Sequence, residues 1–224
     1  MAARSLTRHL KRRLWNWFGT DAHPAEWDGN LYGGGKISQR FWEYLIAIEM
    51  LDLSTRSVVV DVGGGSPAAG LSIFPRLLAA EGVRVIVVDQ DFGEIEENAM
   101  VNITLERTLA NYDSLCHIFT KHEPTHLTCV SVLEHVSSLD QRGIFDAIED
   151  SFRGERAVFT VEYHEIECHF DQQLTAKSLS EAVAGLHRYY LDRIERSPMH
   201  CVNAFGGRTR LWYPLALQFE RVGS

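Results

Sequence analysis

The segment Ser57-Val58-Val59-Val60-Asp61-Val62-Gly63-Gly64-Gly65 constrains the fold of this chain more than any other. A continuous β-branched run is how a strand covered on both faces reads, and such strands belong to parallel sheets flanked by helices. The glycines behind it let the backbone turn sharply and approach a ligand, because they lack Cβ and tolerate positive φ. A second buried run, Val83–Val88, ends in Asp89. In an open α/β sheet, ligands sit beyond the carboxyl ends of the strands, where the strand order reverses. The glycine turn and Asp89 thus stand where a nucleotide would bind, with Asp89 able to accept from both ribose hydroxyls.

The rest of the chain alternates in the same manner. A helix with Phe41, Leu45, Ile48 and Leu51 on one face leads into the first strand. Helical patterns cover Ala68–Glu81, Phe92–Asn102, Gln141–Phe152 and, as one or two helices, Leu174–Arg196. Strand patterns cover Ile103–Leu109, Leu127–Val132, Ala157–Tyr163 and Arg210–Arg221, the last expected to bend or break at Pro214. Strands alternating with helices predict an α/β fold with a parallel, doubly wound sheet and helices on both faces.

A Gly-x-Gly turn alone is a weak signal, and Gly63, Gly65 and Ala68 also satisfy the relaxed dinucleotide pattern G-x-G-x-x-A. Three features separate the readings. Asp61 stands two positions before the first glycine. A long helical lead-in precedes the first strand. The fourth strand runs into Val132-Leu133-Glu134-His135-Val136.

Asp61-Val62-Gly63-Gly64-Gly65 resembles the E/D-x-G-x-G motif of class I methyltransferases that use S-adenosyl-L-methionine (SAM). Asp89 resembles the acidic residue after their second strand. Leu133-Glu134-His135-Val136 resembles the L-E-H-V segment of the small-molecule branch. The resemblance covers about residues 37–163 and extends over the C-terminal third in outline. It implies a Rossmann-like, seven-stranded, mostly parallel sheet with an antiparallel last strand, and SAM as cofactor. Carried over by position, Asp61, the backbone of Gly63, Gly64 and Gly65, and Val132 line the amino-acid part of SAM. Asp89 holds the ribose with Gln90 beside the adenine, and Asn111 or Asp113 meets the adenine amine. Arg40, in the lead-in helix, is a partner for the SAM carboxylate.

The acceptor side is less defined. Methyl transfer needs a nucleophile held close to the methyl carbon and in line with the sulfur bond, and a hydroxyl nucleophile usually needs a base or a metal. His164, directly after the fifth strand, is the first candidate base, with His135 and Glu134 after the fourth strand behind it. His164 lies in a dense patch, Glu162-Tyr163-His164-Glu165-Ile166-Glu167-Cys168-His169, which matches no recognised metal motif. Gly206-Gly207 is placed at the edge of an acceptor pocket. The expected reaction is methylation of a small molecule, at a hydroxyl of a sugar, glycan or secondary metabolite. The alternatives are a non-catalytic nucleotide-binding module and a nicotinamide-dependent oxidoreductase on the same sheet. The Leu133-Glu134-His135-Val136 segment weighs against the second.

A net charge of −8 argues against nucleic acid as the partner. The four cysteines are widely spaced, which indicates neither a zinc knuckle nor a disulfide framework and suits a cytoplasmic setting. The first twenty residues carry Arg4, Arg8, Lys11, Arg12 and Arg13 without an acid, and Leu6, Leu10 and Leu14 recur at helical spacing. That pattern predicts a basic amphipathic helix, either packed on its own domain or in peripheral contact with a membrane. The expected division is residues 1–36, a basic helix and glycine-rich lid, and residues 37–224, the catalytic domain.

Overall fold

The computed structural model describes residues 3–18, 34–66, 70–93, 95, 101–164, 176–197, 201–205 and 208–223. The side chains of 3–5, 15–18, 34–39, 66, 164, 176, 201–205 and 208–213 fall outside that description. Two helices come first, α1 (Ala3–Phe18) and α2 (Gly34–Leu51). Then β1 (Val58–Val62), the short β2 (Gly65–Ser66) and β3 (Gly70–Leu71), α3 (Ile73–Ala80), β4 (Arg84–Asp89) and β5 (Ile103–Arg107) follow. The second half holds α4 (Tyr112–His122), β6 (His126–Val130), α5 (Ser138–Ser151), β7 (Arg156–His164) and α6 (Ala176–Val183). It closes with β8 (Tyr189–Arg196), β9 (Cys201–Phe205) and β10 (Arg208–Arg221).

The sheet runs β5-β4-β1-β6-β7-β10-β8, with β9 also paired to β10, which makes eight strands. The pairs from β5 through β7 are parallel. β10 is antiparallel to both β7 and β8. The expected mostly parallel sheet with a reversed last strand is present. β1 lies between β4 and β6, which places the turn after it at the reversal of strand order.

Side-chain alternation sorts the core into two layers. Val60, Val62, Ile86, Val88, Leu127, Cys129 and Phe159 pack with α4, α5 and α6 on one face. Val59, Val85, Val87, Val158 and Ala216 pack with α1, α2 and α3 on the other. Helices on both faces bury β1 from Val59 to Val62, as its β-branched run required.

α1 belongs to this core. Leu6, Leu10 and Leu14 are fully buried with the leucines and aromatics of α2 and α3, each worth about 1.5–3 kcal/mol relative to exposure. Lys11 pairs with Glu49 of α2, and His9 and Arg13 meet Glu81 behind α3 at 3.0 and 2.9 Å. The apolar stripe is thus turned inward, as the packed-helix alternative requires. The boundary expected at residue 36 falls inside α2, which begins at Gly34. Among the described residues, no helix is long and apolar enough to cross a membrane.

Four expectations change. The helix expected over Ala68–Glu81 starts at Ile73. Gly70 takes φ +76 with Ile95 filling the place of a Cβ, so the chain turns there, and Ser72 begins the helix. A helix was expected over Phe92–Asn102; Phe92 and Gly93 are irregular and Val101–Asn102 is a turn, while 94 and 96–100 lie outside the described residues. There the Asp89 and Asp91 carboxylates accept from the N–H of Asp91 and Gly93, a side-chain bonding pattern that competes with helix. In the Leu174–Arg196 segment, α6 ends at Val183 ahead of Gly185, and Tyr189–Arg196 is a strand that supplies the outer edge of β10 with hydrogen bonds. Finally, β10 continues through Pro214. Pro214 sits where the outer partner of β10 changes from β8 to β9, and its carbonyl accepts from Ser197 N–H on that side. Its missing N–H therefore removes no ladder bond. The irregularity lies instead between Gln218 and Phe219.

If α1 is part of the core, Leu10→Ala should lower unfolding free energy by about 2–5 kcal/mol, whereas the exposed Arg12→Ala should change it by less than about 0.5 kcal/mol. Urea denaturation of the two variants checks this.

Candidate active site

The candidate site is built from the carboxyl ends of β1, β4 and β6. Gly63 continues the β1–β4 ladder by donating to Val88 O at 2.8 Å while its φ of +75 turns the chain. A Cβ at Gly63 would lie 2.2 Å from Val132 Cγ2, and one at Gly64 would lie 2.2 Å from Asp61 Oδ2. A Cβ at Gly65 would stand 2.7 Å from both Asp89 and the Asp91 carbonyl. All three glycines are therefore required for close approach, and Val132 is brought against the turn as expected.

Asp89 joins the turn to the second strand. Its Oδ2 accepts from Gly65 N–H at 3.0 Å and its Oδ1 from Asp91 N–H at 3.0 Å. Its own carbonyl accepts from Thr108 N–H at 3.0 Å, which ties in the loop leading to α4. Gln90 follows at an exposed bend. Asn111 accepts from Ser114 N–H at 3.1 Å as the N-cap of α4 within a capping box, while Asp113 stands exposed in the first turn. The Asn111 oxygen is thus engaged by its own helix, and Asp113 is the more accessible of the pair.

Beneath the turn lies a polar layer on the α2 face of the sheet. Asp61 is 2% exposed and accepts from Thr128 Oγ1 at 2.6 Å, its neighbour in register on β6. Burial pushes the Asp61 carboxyl up to about 7, against the Thr128 bond and with the help of Asp89. Arg40 NH1 donates to Glu43 Oε2 at 3.1 Å and to Val130 O at 3.3 Å. Ser131 Oγ donates to the other Glu43 oxygen at 2.5 Å. Burial also raises the Tyr44 phenol, opposed by Arg40 and by its bond to Ser72. Glu43, Tyr44, Thr128 and Ser131 escaped the sequence reading. Their signal was present: polar residues interrupting the apolar runs FWEYLI and LTCVSV.

The acceptor-side candidates separate. Glu134 is buried, and neither of its carboxyl oxygens has a hydrogen-bond partner among the described residues. His135, next to it in the 3-10 turn Leu133–His135, is exposed. His164 ends β7 opposite Trp212, and its side chain lies outside the described residues. So do Glu165, Glu167, Cys168, His169, Gly206 and Gly207. Among the described residues, no cluster of three His, Cys, Asp or Glu side chains is arranged to hold a metal.

No protein-family profile and no curated protein matches the sequence. Solved structures do match the fold. Geranyl diphosphate C-methyltransferase from Streptomyces coelicolor A3(2), in complex with magnesium, geranyl diphosphate and S-adenosyl-L-homocysteine, is similar at TM-score 0.54 and 11% identity, over 95% of this chain and 98% of that one. A SAM-dependent methyltransferase from Anabaena variabilis gives 0.53 and 11%, over 93% and 92%. The methyltransferase domain of bacterial CtHen1 gives 0.53 and 14%, over 80% and 97%. The chain therefore has the fold of SAM-dependent methyltransferases.

Two outcomes are expected. Gly63→Ala combines positive-φ strain with a collision against Val132, whereas Gly82→Ala, at φ +83 with open space around it, carries the strain alone. Gly63→Ala should lose about 2–4 kcal/mol and Gly82→Ala about 1 kcal/mol in urea denaturation. Secondly, the Asp61 pKa is raised from 3.8 to about 7 in the fold. The protonated acid is thus favoured on folding, and its contribution is full below pH 3.8 and lost as pH rises through about 7. Asp61→Asn should flatten the fall in stability between those pH values, measured by denaturation across the series.

Proposed function

We propose that this chain is a SAM-dependent methyltransferase acting on a small-molecule acceptor. The observation that carries the reading is the joining of Asp61, the Gly63–Gly65 turn and Asp89 at the reversal point of a sheet whose last long strand is antiparallel. That reversed strand and the long lead-in helix favour the methyltransferase over a nicotinamide-dependent oxidoreductase.

The residues fit the cofactor. Asp89 offers a partly exposed carboxylate for ribose hydroxyls. The turn has no Cβ to obstruct a ligand, and Val132 gives it an apolar wall. Arg40 is a cation at the carboxyl end of β6, suited to an amino-acid carboxylate. SAM supplies an electrophilic methyl group when bound. The chain's part is to orient the acceptor, exclude water and take a proton. For a hydroxyl acceptor, of a sugar, glycan or secondary metabolite, we assign the proton to His164 at the end of β7, ahead of His135. The acidic composition favours such an acceptor over nucleic acid.

Titration with S-adenosyl-L-homocysteine should raise the melting temperature by mass action, whereas NADH should not. Asp89→Ala should weaken the affinity by roughly 1.5–3 kcal/mol through loss of charge-assisted bonds. Calorimetry decides: NADH binding without S-adenosyl-L-homocysteine binding refutes the proposal.

A further inference from the structure

Glu134 has a burial that the packing alone does not explain. It lies in the 3-10 turn beyond the carboxyl end of β6, is 4% exposed, and has both carboxyl oxygens without a partner among the described residues. Buried polar groups are ordinarily satisfied, and an orphaned one is destabilising unless something supplies donors. The charged and titratable groups acting on it are Arg40 and Glu43 from α2, Cys129 from β6 and Glu162 from β7. Arg40, the cation of this group, holds Glu43 at 3.1 Å and Val130 O at 3.3 Å.

The surroundings discriminate between ligand head groups. A carboxylate or phosphate brought to Glu134 would meet like charge from Glu43 and Glu162. A neutral hydroxyl would offer one donor for two oxygens. An ammonium offers three N–H donors, enough for both orphaned oxygens, together with the opposite charge.

We propose that Glu134 anchors the acceptor through a protonated amine, so that the acceptor is an amine-bearing small molecule. This rests on the methyltransferase reading and narrows its acceptor to compounds such as amino sugars and amino alcohols. The ammonium is the anchor, and the methylated hydroxyl lies elsewhere on the same molecule. Glu43 and Glu162 set the negative field in which the anchor works. Burial first, then Glu162 and Glu43, lift the Glu134 carboxyl to about 8, opposed by its own backbone N–H and, less, by Arg40. A bound ammonium favours the carboxylate. Below that pH, binding therefore expels a proton, and affinity should rise roughly tenfold between pH 6 and pH 7.

The test uses the full chain saturated with S-adenosyl-L-homocysteine and three probes sharing one ring: benzylamine, benzyl alcohol and benzoate. Calorimetry in buffers of different ionisation heat reads both affinity and proton release. Benzylamine is expected to bind at least about tenfold more tightly than the other two, with a proton released at pH 7. Glu134→Gln should abolish both the preference and the proton release. Should that variant fail to fold, Glu162→Gln serves in its place and should weaken benzylamine several-fold by removing part of the negative field. Preference for benzyl alcohol or benzoate overturns the proposal. So does absence of benzylamine binding, or an amine preference that survives Glu134→Gln. If S-adenosyl-L-homocysteine itself does not bind, the methyltransferase reading falls first and this anchor with it.

Discussion

The buried bond between Asp61 and Thr128 is the contact on which the site is built. It places a carboxyl inside the central strand, paired in register with a hydroxyl on β6 at 2.6 Å. The Asp61 side chain then occupies the space over Gly64, which is why that position has no room for a Cβ. With Gly64 seated on Asp61, Gly65 reaches Asp89 at the end of β4 and Gly63 closes on Val132 beyond β6. One strand thereby organises the carboxyl ends of its two neighbours. The desolvation this requires appears in the raised Asp61 carboxyl.

The two halves of the site differ in electrostatic character. Around the glycine turn, acids are satisfied by backbone N–H groups and hydroxyls, as Asp89 is by Gly65 and Asp91. Such bonds hold the turn in shape. Beyond β6, Glu134 has no donor among the described residues. A polar group kept dry and unsatisfied beside a satisfied network is a common mark of function. α2 serves both halves, because Arg40 and Glu43 tie it to Val130 and Ser131 at the end of β6. α1 backs α2 through three buried leucines.

Much of this was legible in the chain because burial on both faces leaves a local imprint. β1, β4, β6 and β7 read as apolar runs, and their glycine and acidic endings marked the carboxyl edge. The less regular segments misled for local reasons. Tyr189–Arg196 carries four charged residues and lies at a sheet edge with mostly exposed side chains, so it has no apolar run to betray a strand. At the expected start of the helix after Asp89, the Asp89 and Asp91 carboxylates bond to the backbone and leave Phe92 and Gly93 irregular. Asn111, read with Asp113 as alternative partners for an adenine, uses its oxygen to cap α4, a bond that composition did not reveal.

The sequence by itself determined the strand-turn-acid pattern of Asp61, Gly63–Gly65 and Asp89, since close backbone approach and burial on both faces each demand particular residue types at adjacent positions. It also determined the amphipathic character of α1. Only the tertiary structure decided what covers the leucines of α1, that Glu43, Thr128 and Ser131 form a layer beneath the turn, and that Glu134 is buried without a partner among the described residues while His135 beside it faces outward. These depend on contacts between residues as far apart as Glu43 and Ser131, which share no local pattern. A carboxyl on a helix, strand or turn reads the same in sequence whether it meets water, a hydroxyl or nothing, and packing alone settles which.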